Sequence, residues 1–152
     1  MRTLTRRLLS ALGLALAASS ATADVRLPTV DQPLWREECG SCHLAYPPGL
    51  LPAASWEQMM SRLDRHFGSN ASLDARSQQQ ITAFLRQHAA TSGKPARQES
   101  ERISTTPWFT REHTRALTRT GVPAARCESC HTDAKQGRFD EGAIRLPRET
   151  GR

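Results

Sequence analysis

The chain has no cysteine outside two short clusters, a single tyrosine, and only 5% aromatic residues. With 38% hydrophobic residues and a mean hydropathy of −0.56, side chains alone would make a thin core. Beyond residue 18 no apolar run approaches the roughly 20 residues that a membrane helix needs, so the mature chain is expected not to insert in a membrane. A basic stripe with interleaved aromatics is also lacking, which excludes a nucleic-acid-binding surface.

The amino terminus has the parts of an export signal. Arg2, Arg6 and Arg7 precede an apolar run from Leu8 to Ala18, and Ala21-Thr22-Ala23 follows. Residues 1–23 therefore read as a secretory signal peptide cleaved near Ala23, with a soluble periplasmic chain beginning near Asp24. The leader holds three of the 21 basic and none of the 15 acidic side chains, so 129 residues carrying 18 and 15 remain. The net charge of +6 shrinks to about +3, too little to indicate a polyanionic partner.

The four cysteines form two clusters of one pattern, Cys39-Gly40-Ser41-Cys42-His43 and Cys127-Glu128-Ser129-Cys130-His131. Disulfides are the usual use of an even cysteine count in an exported protein, but closing a two-residue loop removes little chain entropy. A redox CxxC explains one pair and not the other, and it lacks a surrounding strand-helix-strand pattern. Zinc would use both pairs, but 84 residues separate Cys42 from Cys127, more than zinc knuckles usually span. None of these uses calls for histidine directly after each second cysteine, whereas covalent haem does. Sulfurs at i and i+3 of a helical turn reach the two vinyl groups of one porphyrin, and the next residue supplies a proximal imidazole. Two porphyrins would also add the missing apolar bulk.

Residues 24–34, with Pro28 and Pro33, read as an extended lead-in, and Tyr46–Pro52 as a rigid loop that can offer a carbonyl to His43 Nδ1. Ser55 and Gln58 form a capping box opening a helix whose stripe is Trp56, Met59, Met60, Leu63, His66 and Phe67, with Gly68 as its stop. A second helix is expected from Asp74 to Ala89 with Ile81, Phe84, Leu85 and His88 buried. Residues 24–90 make an N-terminal haem domain, 91–104 a solvated linker, and 105–152 a C-terminal haem domain. In the last, Thr106 caps a helix with Pro107 at its first position and Phe109, His113 and Leu117 on one face. A turn at Gly121-Val122-Pro123 leads to the second motif, whose helix ends near Gly137, and an irregular strap runs from Arg138.

With His43 and His131 as proximal ligands, the candidates for the open iron positions are His66, His88, His113, Met59 and Met60. The C-terminal domain has no methionine and no histidine besides His113 and His131, which leaves His113 or an open iron. In the N-terminal domain His66 leads, ahead of His88, with the methionines as packing.

These residues together resemble the small bacterial dihaem cytochrome c family along nearly the whole mature chain. The resemblance runs from Glu38 to His43, through Ala45–Pro48, Leu50–Pro52, Ser55-Trp56 and His66–Gly68, to Thr106–Phe109, His113, Cys127–His131 and Gly137–Asp140. It implies a mainly α fold in two small haem-binding halves, the first similar to a class I cytochrome c, the second of short helices plus irregular chain. It also implies two covalently attached haem c groups on Cys39, Cys42, Cys127 and Cys130, with bis-histidine iron at His43 with His66 and at His131 with His113. His88 stands where the pattern does not expect histidine.

Irons closed on both faces leave one-electron transfer as the expected function, at low potential because imidazole donates more strongly than thioether sulfur. The resemblance further implies redox proteins as partners, a membrane cytochrome b as donor and a small c-type haem protein as acceptor. The contrasting expectation is a haem enzyme or gas-binding sensor with one open iron, which needs a positioned distal acid or base that the sequence does not offer.

Overall fold

Proline at a first helical position starts two of the four α-helices found among the described residues. The computed structural model describes residues 27–91 and 101–148; the expected signal peptide and the middle of the linker, residues 92–100, lie outside them. Helix α1, Pro33–Gly40, begins inside the expected lead-in. The Gln32 side chain accepts from the Trp35 amide, and Pro33 supplies a helical φ without needing a hydrogen bond. The two prolines suggested extended chain, but only Pro28 lies in it.

Helix α2, Ala53–Met60, starts two residues before Ser55, which sits buried inside it, and no side chain caps it. It also stops early. Gln78 Nε2 of α3 donates to the Met60 carbonyl at 2.7 Å, satisfying an orphan acceptor from the side, and Ser61 Oγ takes up the Gln58 carbonyl at 2.8 Å. The chain then makes a 3₁₀ turn, Leu63–Arg65, and a tight turn in which the Ser69 amide returns to the His66 carbonyl at 3.0 Å. The expected continuous helix to Gly68 is therefore broken, and His66 lies beyond it.

Helix α3, Ala75–Gln87, matches its expected span, with Ile81, Phe84 and Leu85 buried against α1 and α2. Hydrogen bonds from Ser77, then Arg76, hold the Asp74 capping carboxyl below its ordinary range. The cap thus contributes above the unfolded-state pKa and is lost as pH falls through the lower folded value. The loop before α2 is anchored by Trp56 Nε1, which donates to the buried Pro48 carbonyl at 2.7 Å, and closed by the Ala90 amide on the Leu51 carbonyl at 2.9 Å.

Helix α4, Pro107–Thr120, follows a 3₁₀ turn at Ile103–Thr105 and ends at Gly121, whose φ of +67° suits glycine. Ile103, Trp108 and Phe109 share one hydrophobic cluster with Trp35, Leu51 and Phe84, so the core runs continuously from the α1–α3 half into α4. The second motif is not helical as expected. It forms a 3₁₀ turn, Cys127–Ser129, followed by another, Ala134–Gln136, because the strap folds back on it: Arg145 N donates to the Cys130 carbonyl at 2.9 Å, and His131 bridges to Ile144.

Thr106 is fully buried; its Oγ1 accepts from the Phe109 amide at 3.3 Å and donates to the Ile103 carbonyl at 2.8 Å. Thr106→Ala should therefore destabilise the holoprotein by about 1–2 kcal/mol in chemical denaturation followed at the Soret band, and Thr106→Ser by less. A loss below about 0.3 kcal/mol for the alanine variant would contradict this role for the cap.

Candidate functional site

Cys39 closes the last turn of α1, Cys42 follows in the next turn, and His43 leaves it. Ser41 Oγ donates to the Glu38 carbonyl at 2.9 Å, holding the motif in one turn past the helix. The acceptor for His43, expected from the loop at 46–52, is instead the neighbouring Leu44 carbonyl, 2.7 Å from Nδ1. That bond makes Nδ1 the donor and leaves Nε2 free to bind a metal.

Across from His43 stands His66, ring centres 6.1 Å apart and planes 21° from parallel. Two metal–imidazole bonds of about 2 Å, with about 1 Å from each nitrogen to its ring centre, span roughly 6 Å. Cys39, Cys42, Trp56, Met60 and Leu63 line the surrounding cavity of about 500 Å³. Met59 also lines it, while His88 ends α3 outside it, its ring 5.0 Å from that of Phe84. The structure thus brings His66, and not His88, to His43.

The second site is built from α4 and the 3₁₀ turns. His113 stacks on Phe109, one helical turn earlier, at 4.0 Å and 5°, and its Nδ1 donates to the Phe109 carbonyl at 3.0 Å. Its ring centre lies 6.2 Å from that of His131, which has Phe139 of the strap 5.2 Å away. Trp108 Nε1 and His131 Nδ1 are buried without a hydrogen-bond partner. With Nε2 of His131 given to iron, Nδ1 becomes a second buried donor in want of an acceptor. A porphyrin with carboxylate arms suits such a site, and the residues gathered at both histidine pairs therefore fit haem.

Burial, then the facing His43, then Arg102 push the His66 pKa down, while Glu101 opposes them. Burial and the facing His113 do the same to His131. Both shifts favour the neutral ring, the form that coordinates metal. Burial, helped by Glu38 and Glu128 respectively, pushes the Cys39 and Cys127 thiols up to about 11. A redox CxxC needs a lowered thiol pKa, so these run the wrong way for that chemistry. All four cysteines are free, and among the described residues they do not gather into one metal cluster.

Several residues around the histidine pairs have roles beyond those the sequence suggested. Tyr46 stacks on His43 at 5.0 Å and donates to the Ala125 carbonyl at 3.2 Å, joining the halves. As the only tyrosine, three residues after a proximal ligand, it carried a signal in its rarity. Glu101 and Arg102 line the first cavity from the far end of the linker, and no local pattern marked them.

The dihaem cytochrome c family matches residues 35–139 of the chain. A dihaem cytochrome c from Rhodobacter sphaeroides is 41% identical with a TM-score of 0.65, over 73% of this chain and 98% of that one. A dihaem cytochrome c from Shewanella baltica OS155 is 35% identical with a TM-score of 0.65, over 77% and 94%. No curated protein matches the chain.

Two haems per chain should appear in a pyridine haemochrome assay of the denatured protein. Replacing Cys39 and Cys42 together with alanine should leave one, held by Cys127 and Cys130, and a covalent count still at two would refute attachment at the first motif.

Proposed function

The chain belongs to the dihaem cytochrome c family, and from that premise we propose that it is a periplasmic, low-potential one-electron carrier whose two irons are closed by His43 with His66 and by His131 with His113. The observation that carries this reading is the pair of imidazole separations, 6.1 and 6.2 Å, each matching the span of one bis-imidazole metal. Each haem supplies an iron that exchanges one electron. The polypeptide binds, orients and tunes it.

The carbonyls of Leu44 and Phe109 fix the tautomers of His43 and His113, so Nε2 of each is presented without rearrangement. A haem held between His43 and His66, or between His131 and His113, would have no position left for dioxygen or peroxide, and imidazole ligands would stabilise its ferric state more than a thioether does. Both potentials therefore lie below those of histidine–methionine sites. The enzyme or gas-sensor reading requires an open iron, and each proximal histidine here has an imidazole opposite it.

Periplasmic residence is proposed from the Arg2–Ala23 leader. The partners proposed are redox proteins, a membrane cytochrome b as donor and a small c-type haem protein as acceptor, meeting the chain in weak docking. Within the molecule the first cavity is lined by Cys127 as well as by Cys39, and this shared lining supports two haems close enough to exchange electrons directly.

Replacing His66, His88 and His113 with alanine one at a time tests the assignment. Loss of the low-spin spectrum and gain of carbon monoxide binding is expected at one haem in His66→Ala and His113→Ala, with His88→Ala unchanged. Rapid carbon monoxide binding by the unaltered reduced protein, or a potential in the histidine–methionine range, would overturn the carrier reading. Electron paramagnetic resonance of the oxidised protein should show spin coupling between the haems that vanishes in the single-haem variant; uncoupled spectra would refute their proximity.

A further inference from the structure

The turn that carries His66 is the least buttressed part of the first site. Helix α2 has already ended at Met60, and the ring-bearing residue is followed by two left-handed positions, Phe67 at φ +49° and Gly68 at φ +97°. Glycine accepts such a φ freely, but a bulky side chain is strained by it. Burial does not offset that strain, since Phe67 is 46% exposed.

What holds Phe67 comes from 35 residues further along the chain. The Arg102 guanidinium sits 4.1 Å from the centre of the Phe67 ring, a cation–π distance, and that ring lies 4.9 Å from the His66 imidazole. The neighbouring Glu101 forms an ion pair with Arg62, just past the end of α2, and Ile103 is buried in the core. Arg102 is thus fixed on both sides, and the contact to His66 runs through an aromatic ring whose backbone would otherwise relax. A groove beside it, lined by Met59, Arg65, His66 and Phe67 among others, leaves space into which the loop can move.

We infer that Arg102 is the positioning residue for the distal histidine of the first haem, clamping Phe67 and through it His66. The inference rests on His66 being that ligand. Without the clamp the Phe67 turn opens, His66 leaves the iron in a fraction of molecules, and exogenous ligands enter from the groove side. The second haem, whose His113 is locked on α4, stays closed.

The test uses the holoprotein with both haems, reduced, and carbon monoxide as the probe. Arg102→Gln removes the charge but keeps a polar side chain of moderate length, Phe67→Leu removes the ring and keeps the charge, and Arg102→Lys keeps a cation. Each of the first two variants should speed carbon monoxide binding at one haem by about two- to fivefold, as expected for loss of one exposed cation–π contact. The double variant should go no further than either, and Arg102→Lys should retain most of the protection. If Arg102→Gln shifts only the potential and leaves carbon monoxide binding unchanged, or if the two effects add, the clamp is refuted and Arg102 acts by charge alone. His66→Ala, measured alongside, separates the two levels. If it opens one haem while Arg102→Gln and Phe67→Leu open none, the clamp alone falls; if it leaves both closed, the ligand assignment falls and the inference with it.

Discussion

Two imidazole rings must face each other about 6 Å apart, from distant parts of the chain, and almost every element here serves that spacing. The near member of each pair is placed by covalent logic, directly behind a cysteine that ties it to the porphyrin. The far member has no such tether and depends on packing. His113 solves this with a regular helix, its ring stacked on Phe109 and bonded to the carbonyl one turn back. His66 solves it with a broken helix and a strained turn, held from across the linker.

That difference decides how much could be read from the sequence. Features set by neighbours in the chain were legible: the two motifs, the Thr106 cap, Pro107 at the first position of α4, and the start of α3 at Asp74 with Ile81, Phe84 and Leu85, though not His88, buried on its stripe. Features set by partners far away were not. The end of α2 depends on Gln78 reaching the Met60 carbonyl, so helical periodicity ran past the real stop and carried His66 onto a helix it does not occupy. The second motif is drawn into 3₁₀ turns by Ile144 and Arg145, and nothing within its five residues announces that. The Pro33 misreading was of another kind, since Gln32 is a weak capping type and two prolines favoured extended chain.

The shortage of aromatic residues takes on meaning beside the haem cavities. Seven of the eight aromatic side chains stack on a ligand histidine, line a cavity or sit beside one: Trp35, Tyr46, Trp56, Phe67, Trp108, Phe109 and Phe139. Trp35 and Phe84 pair with each other at 5.3 Å beneath α1 and α3. A chain with few large apolar groups has spent them where porphyrin faces supply the other half of the packing.

The strap that folds back on the second motif carries a consequence for how the molecule is made. Arg145 N reaches the Cys130 carbonyl and Ile144 bridges to His131, so the backbone around the last attachment point takes its final shape only when the carboxyl-terminal residues are present. Covalent attachment needs that same stretch open enough to admit a porphyrin. A porphyrin would therefore have to be joined to Cys127 and Cys130 before the strap folds back over the motif.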